Sequence, residues 1–282
     1  MVREFYIENE KGQRFSMMDI ENGCFFNSPS GLGFSYDTQY TQIENNFIRN
    51  IRKLTQGSLG GELVFKNYDN YKKIIDFIVS TENLKFVYKV PFQNGFIEYF
   101  KDIDISNIDK TEIGTNGVLV CPVTFSVKSL WYEARETVYR IEKETNEITW
   151  DFEWDSKFSG YDVRNLTFKN EGHVEAPFLL EIDSAVSHPK ITILDGNNNI
   201  LNELQLSDLV IDTNEKLIYC TKDTDLKIYK ETASGKSNLF ESLDLNKINF
   251  FKLPVGVSQI RLSGDSDITS AKLTIFVEYL AV

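Results

Sequence analysis

Few side chains in this sequence stand where chemistry could use them. His173 and His188 are its two histidines, and neither has a second histidine at metal spacing or a glutamate in an H-E-x-x-H frame. Gly172 precedes one and Pro189 follows the other, so both read as exposed loop residues. Cys24, Cys121 and Cys220 are odd in number, far apart and set beside apolar stretches. Free buried thiols, made in a reducing cytosol, fit that pattern, and without a C-x-x-C pair neither a zinc site nor a redox dithiol is expected. A G-x-S-x-G nucleophile elbow is missing as well.

Two glycine-rich stretches invite a phosphate-loop reading, Gly31-Leu32-Gly33-Phe34-Ser35 and Gly57-Ser58-Leu59-Gly60-Gly61. Neither has a third glycine at dinucleotide spacing, a following Gly-Lys-Ser/Thr, or a helix that begins there, so both read as flexible loops or strand-end bulges. Carboxylates are plentiful. Asp151, Glu153 and Asp155 alternate with Trp150, Phe152 and Trp154, which puts acids on one strand face and aromatics on the other. A glycosidase cleft needs two facing carboxylates, but the solvent and core faces of an ordinary strand have the same pattern. Asp223 with Asp225, and Asp265 with Asp267, do not fit the twelve-residue calcium loop and read as solvated turns. No cofactor, metal or catalytic residue is expected.

The elements around these residues are mostly strands. Tyr6–Glu8, a tight turn at Asn9-Glu10-Lys11-Gly12 and Arg14–Met17 predict a hairpin. Leu84, Phe86, Tyr88 and Val90 alternate with polar or smaller neighbours, and Asn94-Gly95 supplies the turn into a returning strand over Phe96–Phe100. Leu119, Cys121, Val123, Phe125 and Val127 give the clearest alternation, with Pro122 predicting an edge or a bulge. One helix interrupts the strands. Tyr68, Tyr71, Ile74, Ile75 and Ile78 fall at helical spacing over 68–80, with Asn67 as N-cap and the apolar stripe as core. After 134 the texture changes to short apolar runs punctuated by turn clusters such as Lys169–Gly172 and Asp195–Asn199, which predicts a β-sandwich ending in a strand through Leu273, Ile275, Val277 and Tyr279. The expected division is 1–134 and 135–282, with the boundary between 133 and 160.

Composition narrows the partners. The hydrophobic content of 41% supports a real core over 282 residues. A net charge of −12 argues against a nucleic-acid binder, because phosphate contacts need clustered bases, and equally against an anionic membrane surface. No run is long and apolar enough to span a bilayer, and the charged, alternating start is no secretory signal.

Several phrases, in order, resemble the distal tail protein family of long-tailed bacteriophages and prophages. They begin with Phe5–Gly12, Gly31-Leu32-Gly33-Phe34 and Gly61-Glu62-Leu63-Val64-Phe65, followed by the helix. Lys110-Thr111-Glu112, Leu119–Phe125 and Leu130-Trp131-Tyr132 come next. In the second half, Phe168–Gly172 with Ala176–Ile182, and Phe251–Gly256 with Ala271–Val282, complete the likeness. It implies a tail-tube-like β domain with one helix, then a galectin-like β-sandwich. It also implies a non-enzymatic, hexameric ring at the virion tail tip. Such a ring would join the major tail tube protein to the tail-associated fibre or lysin protein and carry receptor-binding protein, with DNA passing through its lumen unbound. Because a ring can pair strand edges between neighbours, inter-subunit contacts are expected at Leu59, Leu63, Phe65, Leu119, Val123 and Phe125. The alternative is sugar binding, with Trp150, Trp154 and Tyr161 stacking on cell-wall sugars.

Overall fold

The computed structural model describes residues 3–92, 95–140, 165–265 and 268–282. The chain is mostly β with a single α-helix among these residues. It divides into two compact units, Met1–Glu133 together with Glu278–Val282, and Ala134–Val277.

The first unit contains β1 (Glu4–Asn9), β2 (Arg14–Ser16), β3 (Phe25–Ser30), β4 (Tyr36–Ile43), β5 (Asn46–Leu54), β6 (Ser58–Phe65), α1 (Tyr68–Val79), β7 (Leu84–Phe92), β8 (Gly95–Ile108), β9 (Leu119–Val127) and the start of β10 (Trp131–Arg140). The hairpin expected at the start is present. Gly12 turns with φ +74°, and the Asn9 side-chain oxygen accepts from the Lys11 and Gln13 amides, so Asn9 fixes the turn and Gly12 supplies the left-handed step. Antiparallel ladders run β2-β1-β7-β8-β9-β6-β3. The residues after β2 then close the circuit, because Met17 donates to the Phe5 carbonyl and accepts from Phe26. Closure removes the open edges that an isolated sheet of this length would expose.

Alternation decides what fills this barrel. Phe5, Phe26, Phe86, Phe125 and Trp131 point inward from five strands and meet edge to face, with Phe5 and Phe26 centroids 5.4 Å apart and Phe86 and Phe125 5.7 Å apart. Helix α1 starts as expected, with the Asn67 side chain accepting from the Asn70 amide at 2.9 Å. It buries Ile74 and packs Tyr71 edge-on against Phe65. Pro122 sits where β8 has ended at Ile108, and its carbonyl accepts from Asp109 just beyond. A strand residue directs its N–H and C=O to the same side, so the missing donor faces that ladder end and breaks nothing. The register of β8 also shifts beside it, between Ile105 and Asn107.

The second unit holds β11 (Asn165–Asn170), β12 (Phe178–Ile182), β13 (Val186–Ser187), β14 (Lys190–Asp195), β15 (Ile200–Gln205), β16 (Val210–Ile211), β17 (Lys216–Cys220), β18 (Lys227–Thr232), β19 (Gly235–Asn238), β20 (Gly256–Ser263) and most of β21 (Ser270–Tyr279). One sheet runs β11-β20-β14-β15; another set pairs β19-β18-β17-β12-β21; β13 and β16 form a small third ladder. Alternation again turns one face inward: Phe178, Leu180 and Ile182 on β12, and Ala271, Leu273, Ile275 and Val277 on β21. Asn170 is buried and fully used. Its amide donates to the Val174 and Leu253 carbonyls, and its oxygen accepts from Gly172. One side chain thus ties the Lys169–Gly172 turn to the Phe251–Gly256 segment, two phrases 83 residues apart between their bonded members.

Candidate interaction surface

The structure moves most of the sequence-derived candidates away from any surface. Leu59, Leu63, Phe65, Leu119, Val123 and Phe125 are 0–3% exposed and belong to the barrel core. Strand β6 is paired on both sides, by β3 and β9, and β9 by β6 and β8. Within the single chain these side chains face inward, and both strands already have partners. Alternation shows that a face is buried, and here the chain buries its own. Trp150, Trp154 and Tyr161, with Asp151, Glu153 and Asp155, lie outside the described residues, as does Asp267.

The remaining polar candidates have ordinary roles. His188 takes φ +52° in a turn, with Nδ1 2.6 Å from the Asp265 carboxylate, both side chains exposed. His173 is exposed beside a buried Gly172. Asp223 pairs with Lys252 at 2.6 Å and Asp225 with Lys227 at 2.5 Å, so these turns carry ion pairs. Among the described residues no three acidic, His or Cys side chains gather as a metal site would need. All three cysteines are buried and free, and burial pushes the Cys24 thiol up to about 12. No helix among the described residues is long and apolar enough to cross a membrane.

The glycine-rich stretches hold the barrel together. Gly60 and Gly61 lie inside β6, where a Cβ on Gly61 would come within 2.5 Å of the Phe26 ring and 2.8 Å of the Asn27 carbonyl. They are points of close strand approach in the interior of a strand, which corrects the expectation of a flexible loop or strand-end bulge for these two glycines. Gly31 has φ +76° and would place a Cβ 1.9 Å from the Ser58 carbonyl. Next to it, the Leu32 carbonyl accepts from the Trp131 indole at 2.8 Å. The Gly-Leu-Gly loop is thus clamped between β6 and β10.

What this clamp positions is the feature that sequence reasoning missed. Among the described residues, strands β4 and β5 pair only with each other, from Tyr36 opposite Leu54 to Ile43 opposite Asn46. Their base is tied by the Thr55 amide to the Ser35 carbonyl at 3.1 Å, and Gln56 donates to the Val127 carbonyl at 3.1 Å. Every residue from 39 to 54 is exposed, including Tyr40, Ile43, Phe47, Ile48, Ile51 and Leu54. Exposed apolar side chains concentrated on one projection mark an interaction surface, where single scattered ones would not. The available signal was short and broken, since Thr41 alternates with Ile43 but Ile48 and Ile51 stand three apart and share a face only through the register shift at Asn50, and an apolar face looks the same in sequence whether it meets its own chain or another.

Comparison with known proteins agrees with this geometry. Residues 4–128 match the family model described as distal tail protein, N-terminal domain. A chain of the phage P2 baseplate in its activated conformation with Ca has the same fold, with a TM-score of 0.70 and 18% identity over 100% of both chains. The crystal structure of SPP1 Dit (gp 19.1), described as a paradigm of the hub adsorption apparatus in phages infecting Gram-positive bacteria, gives a TM-score of 0.58 at 9% identity, covering 96% of this chain and 98% of that one. No curated protein matches.

Proposed function

We propose, for a chain that belongs to the distal tail protein family through residues 4–128, that it serves as the structural hub of a phage tail tip. In this reading six copies close into a ring at the virion tail tip. The ring joins the last disc of the major tail tube protein to the tail-associated fibre or lysin protein, and receptor-binding components attach to its second unit. Its work is geometric: it converts a tube end into a platform.

The single observation that carries the reading is the family match over the first unit. Likeness in fold over the full length of a phage baseplate chain supports it. Cyclic closure needs one patch on each copy that meets a different patch on the next, and a projecting ribbon is suited to be one of the two. The net charge of −12 is compatible with a lumen that lets DNA slide, because like charges do not adhere.

Immunogold labelling of intact virions with antibody to this chain tests the hub reading. Label confined to the tail end, with virions of a deletion mutant lacking the tip assembly, is the expected result. Label spread along the tube, or normal tips in the deletion mutant, would overturn it. Class averages of the purified tip give the copy number directly.

A further inference from the structure

An asparagine followed by glycine can react with its own backbone. The next amide nitrogen attacks the side-chain Cγ, and glycine has no side chain to obstruct ring closure. The sequence holds three such pairs, Asn22-Gly23, Asn94-Gly95 and Asn116-Gly117, and one aspartate analogue, Asp195-Gly196. Asn94 lies outside the described residues. The structure separates the other three. Asn22 is held fast: its Nδ2 donates to the Asp19 carboxylate at 2.9 Å, its amide to the same carboxylate at 3.2 Å, and the Gly23 amide to the Asp19 carbonyl at 2.8 Å. Gly23 is also buried, with the Ser16 carbonyl 2.6 Å from where a Cβ would stand. The Asp195 carboxylate accepts from the Asn199 side chain and from the Asn197 and Asn199 amides. Those bonds, the Asn199 side chain first, hold it below the usual carboxylate range, and an ionised carboxylate offers no leaving group.

Asn116 differs on each count. Residues 109–117 are exposed throughout, and at Gly117, with φ +79°, a Cβ would meet nothing within 4 Å. The Asn116 Nδ2, which must depart, donates to nothing among the described residues, while its Oδ1 accepts from the Val118 amide at 3.3 Å. That donor faces the oxygen on which negative charge gathers as the nitrogen adds, the role an amide plays in an oxyanion hole. One bond restrains the nucleophile, from the Gly117 amide to the Gly114 carbonyl at 2.9 Å, and bonds in exposed turns open most readily.

We propose that Asn116 is a site of spontaneous covalent modification, closing to a succinimide with Gly117 and reopening as aspartate or isoaspartate. Hydroxide removes the Gly117 N–H proton, the nitrogen bonds to Cγ, and Nδ2 takes a proton from water and leaves as ammonia. Water then adds to either ring carbonyl and cleaves its C–N bond, so the net change is the exchange of an amide NH2 for a hydroxyl, which ionises. No oxidant and no metal is needed. Isoaspartate lengthens the backbone by a methylene in a loop that ties β9 to α1: the Thr111 hydroxyl donates to the Val120 carbonyl at 2.6 Å, and the Tyr68 hydroxyl to the Glu112 carboxylate at 2.6 Å. Each copy thus carries an irreversible change whose extent records its age.

To test this, the full-length protein is aged in mildly alkaline buffer made with heavy-oxygen water. Samples taken over time are digested with trypsin at slightly acidic pH and mapped by mass spectrometry, with electron-transfer fragmentation to tell isoaspartate from aspartate. The tryptic peptide Thr111–Lys128 has no other amide side chain, so its mass reports Asn116 alone. Both products are expected there, carrying the heavy oxygen and forming faster as hydroxide rises. Asn116 should convert on the order of 100-fold faster than Asn22, whose bonds to a carboxylate must break first. An Asp19→Ala variant, its fold compared by far-UV spectrum, should speed Asn22 by about 10-fold or more and leave Asn116 unchanged. A Thr111–Lys128 peptide that keeps its mass, or wild-type Asn22 converting as fast as Asn116, would overturn the proposal, and this comparison stands even if the variant does not fold. Aspartate without isoaspartate would replace the succinimide by direct hydrolysis and overturn it as well. A folded Asp19→Ala protein with Asn22 as slow as before would sink the claim that these bonds select the site.

Discussion

Lys101 points its side chain into the barrel, and among the described residues no carboxylate meets it. The residue is 4% exposed, and its ammonium lies 4.8 Å from the centre of the Trp131 ring, whose face is the only compensation seen among the described residues. Burial dominates over that attraction and draws the amine down to about 8 from an ordinary 10.5. The direction has a consequence for stability. Between about pH 8 and 10.5 the unfolded chain binds more protons at this site than the folded one, so stability should rise with pH across that window. Below it both states are protonated, and the cost of the buried charge is borne in full. Replacing Lys101 by Met should therefore stabilise the protein at pH 7 by about 1–2 kcal/mol. It should also flatten the alkaline rise in urea-unfolding free energy measured from pH 7 to 9.5. A variant less stable than wild type at pH 7, with the slope retained, would show that the Trp131 contact outweighs burial. Nothing in the sequence marks this site, because Lys101 takes an inward position in β8 where alternation would lead one to expect an apolar residue.

Helix α1 shows what an element reveals in advance and what it withholds. Its stripe of Tyr and Ile and its capping asparagine were both legible, since a helix end must satisfy its own free amides and Asn is one of few side chains that can. Asn67→Ala removes the acceptor for the Asn70 amide and should cost about 1 kcal/mol. Thermal unfolding should show a drop of a few degrees, and Asn67→Ser should restore most of it; equal melting of all three proteins would mean that water replaces the cap. Strands were legible in the same local sense: the alternation of β9 and the Asn9–Gly12 turn follow from backbone geometry within a few residues. What lay beyond reach was any property set by a distant neighbour. The core face of β9 looked like an interface because Leu119, Val123 and Phe125 show only that something covers them. The ribbon went unread for the converse reason, since Ile43, Ile48 and Ile51 suggest a cover that their own chain does not provide. Gly61 reads from sequence as loop or strand-end bulge because the Phe26 ring that forbids a side chain there comes from another strand.

At the scale of the whole chain, the division into two units does not follow the order of the sequence. A split near residue 134 would assign everything beyond it to the second unit, yet Glu278–Val282 group with the first. The reason lies in one strand: β21 pairs with β12 through Ala271–Ile275, while Tyr279 at its far end sets its ring 5.5 Å from Tyr99 of β8, edge to face, and joins the residues packed on the barrel core. Residues Glu278–Val282 are thus a structural part of the first unit, though 144 residues separate them from the rest of it in sequence. Tyr279→Ala should loosen the barrel by about 2 kcal/mol, the cost of a partly buried aromatic contact, which is roughly a 30-fold gain in the openings that expose its amides. Hydrogen exchange resolves where that loss falls. Amides of β7 and β8 should exchange faster in the variant, whereas those of β14 and β20, whose ladders involve no residue beyond Ser263, should keep their rates. Equal acceleration in both sets would show that the chain opens as one cooperative body. No acceleration in either would show that Tyr279 rests on the barrel without supporting it, and that the first unit needs nothing from the C-terminal strand.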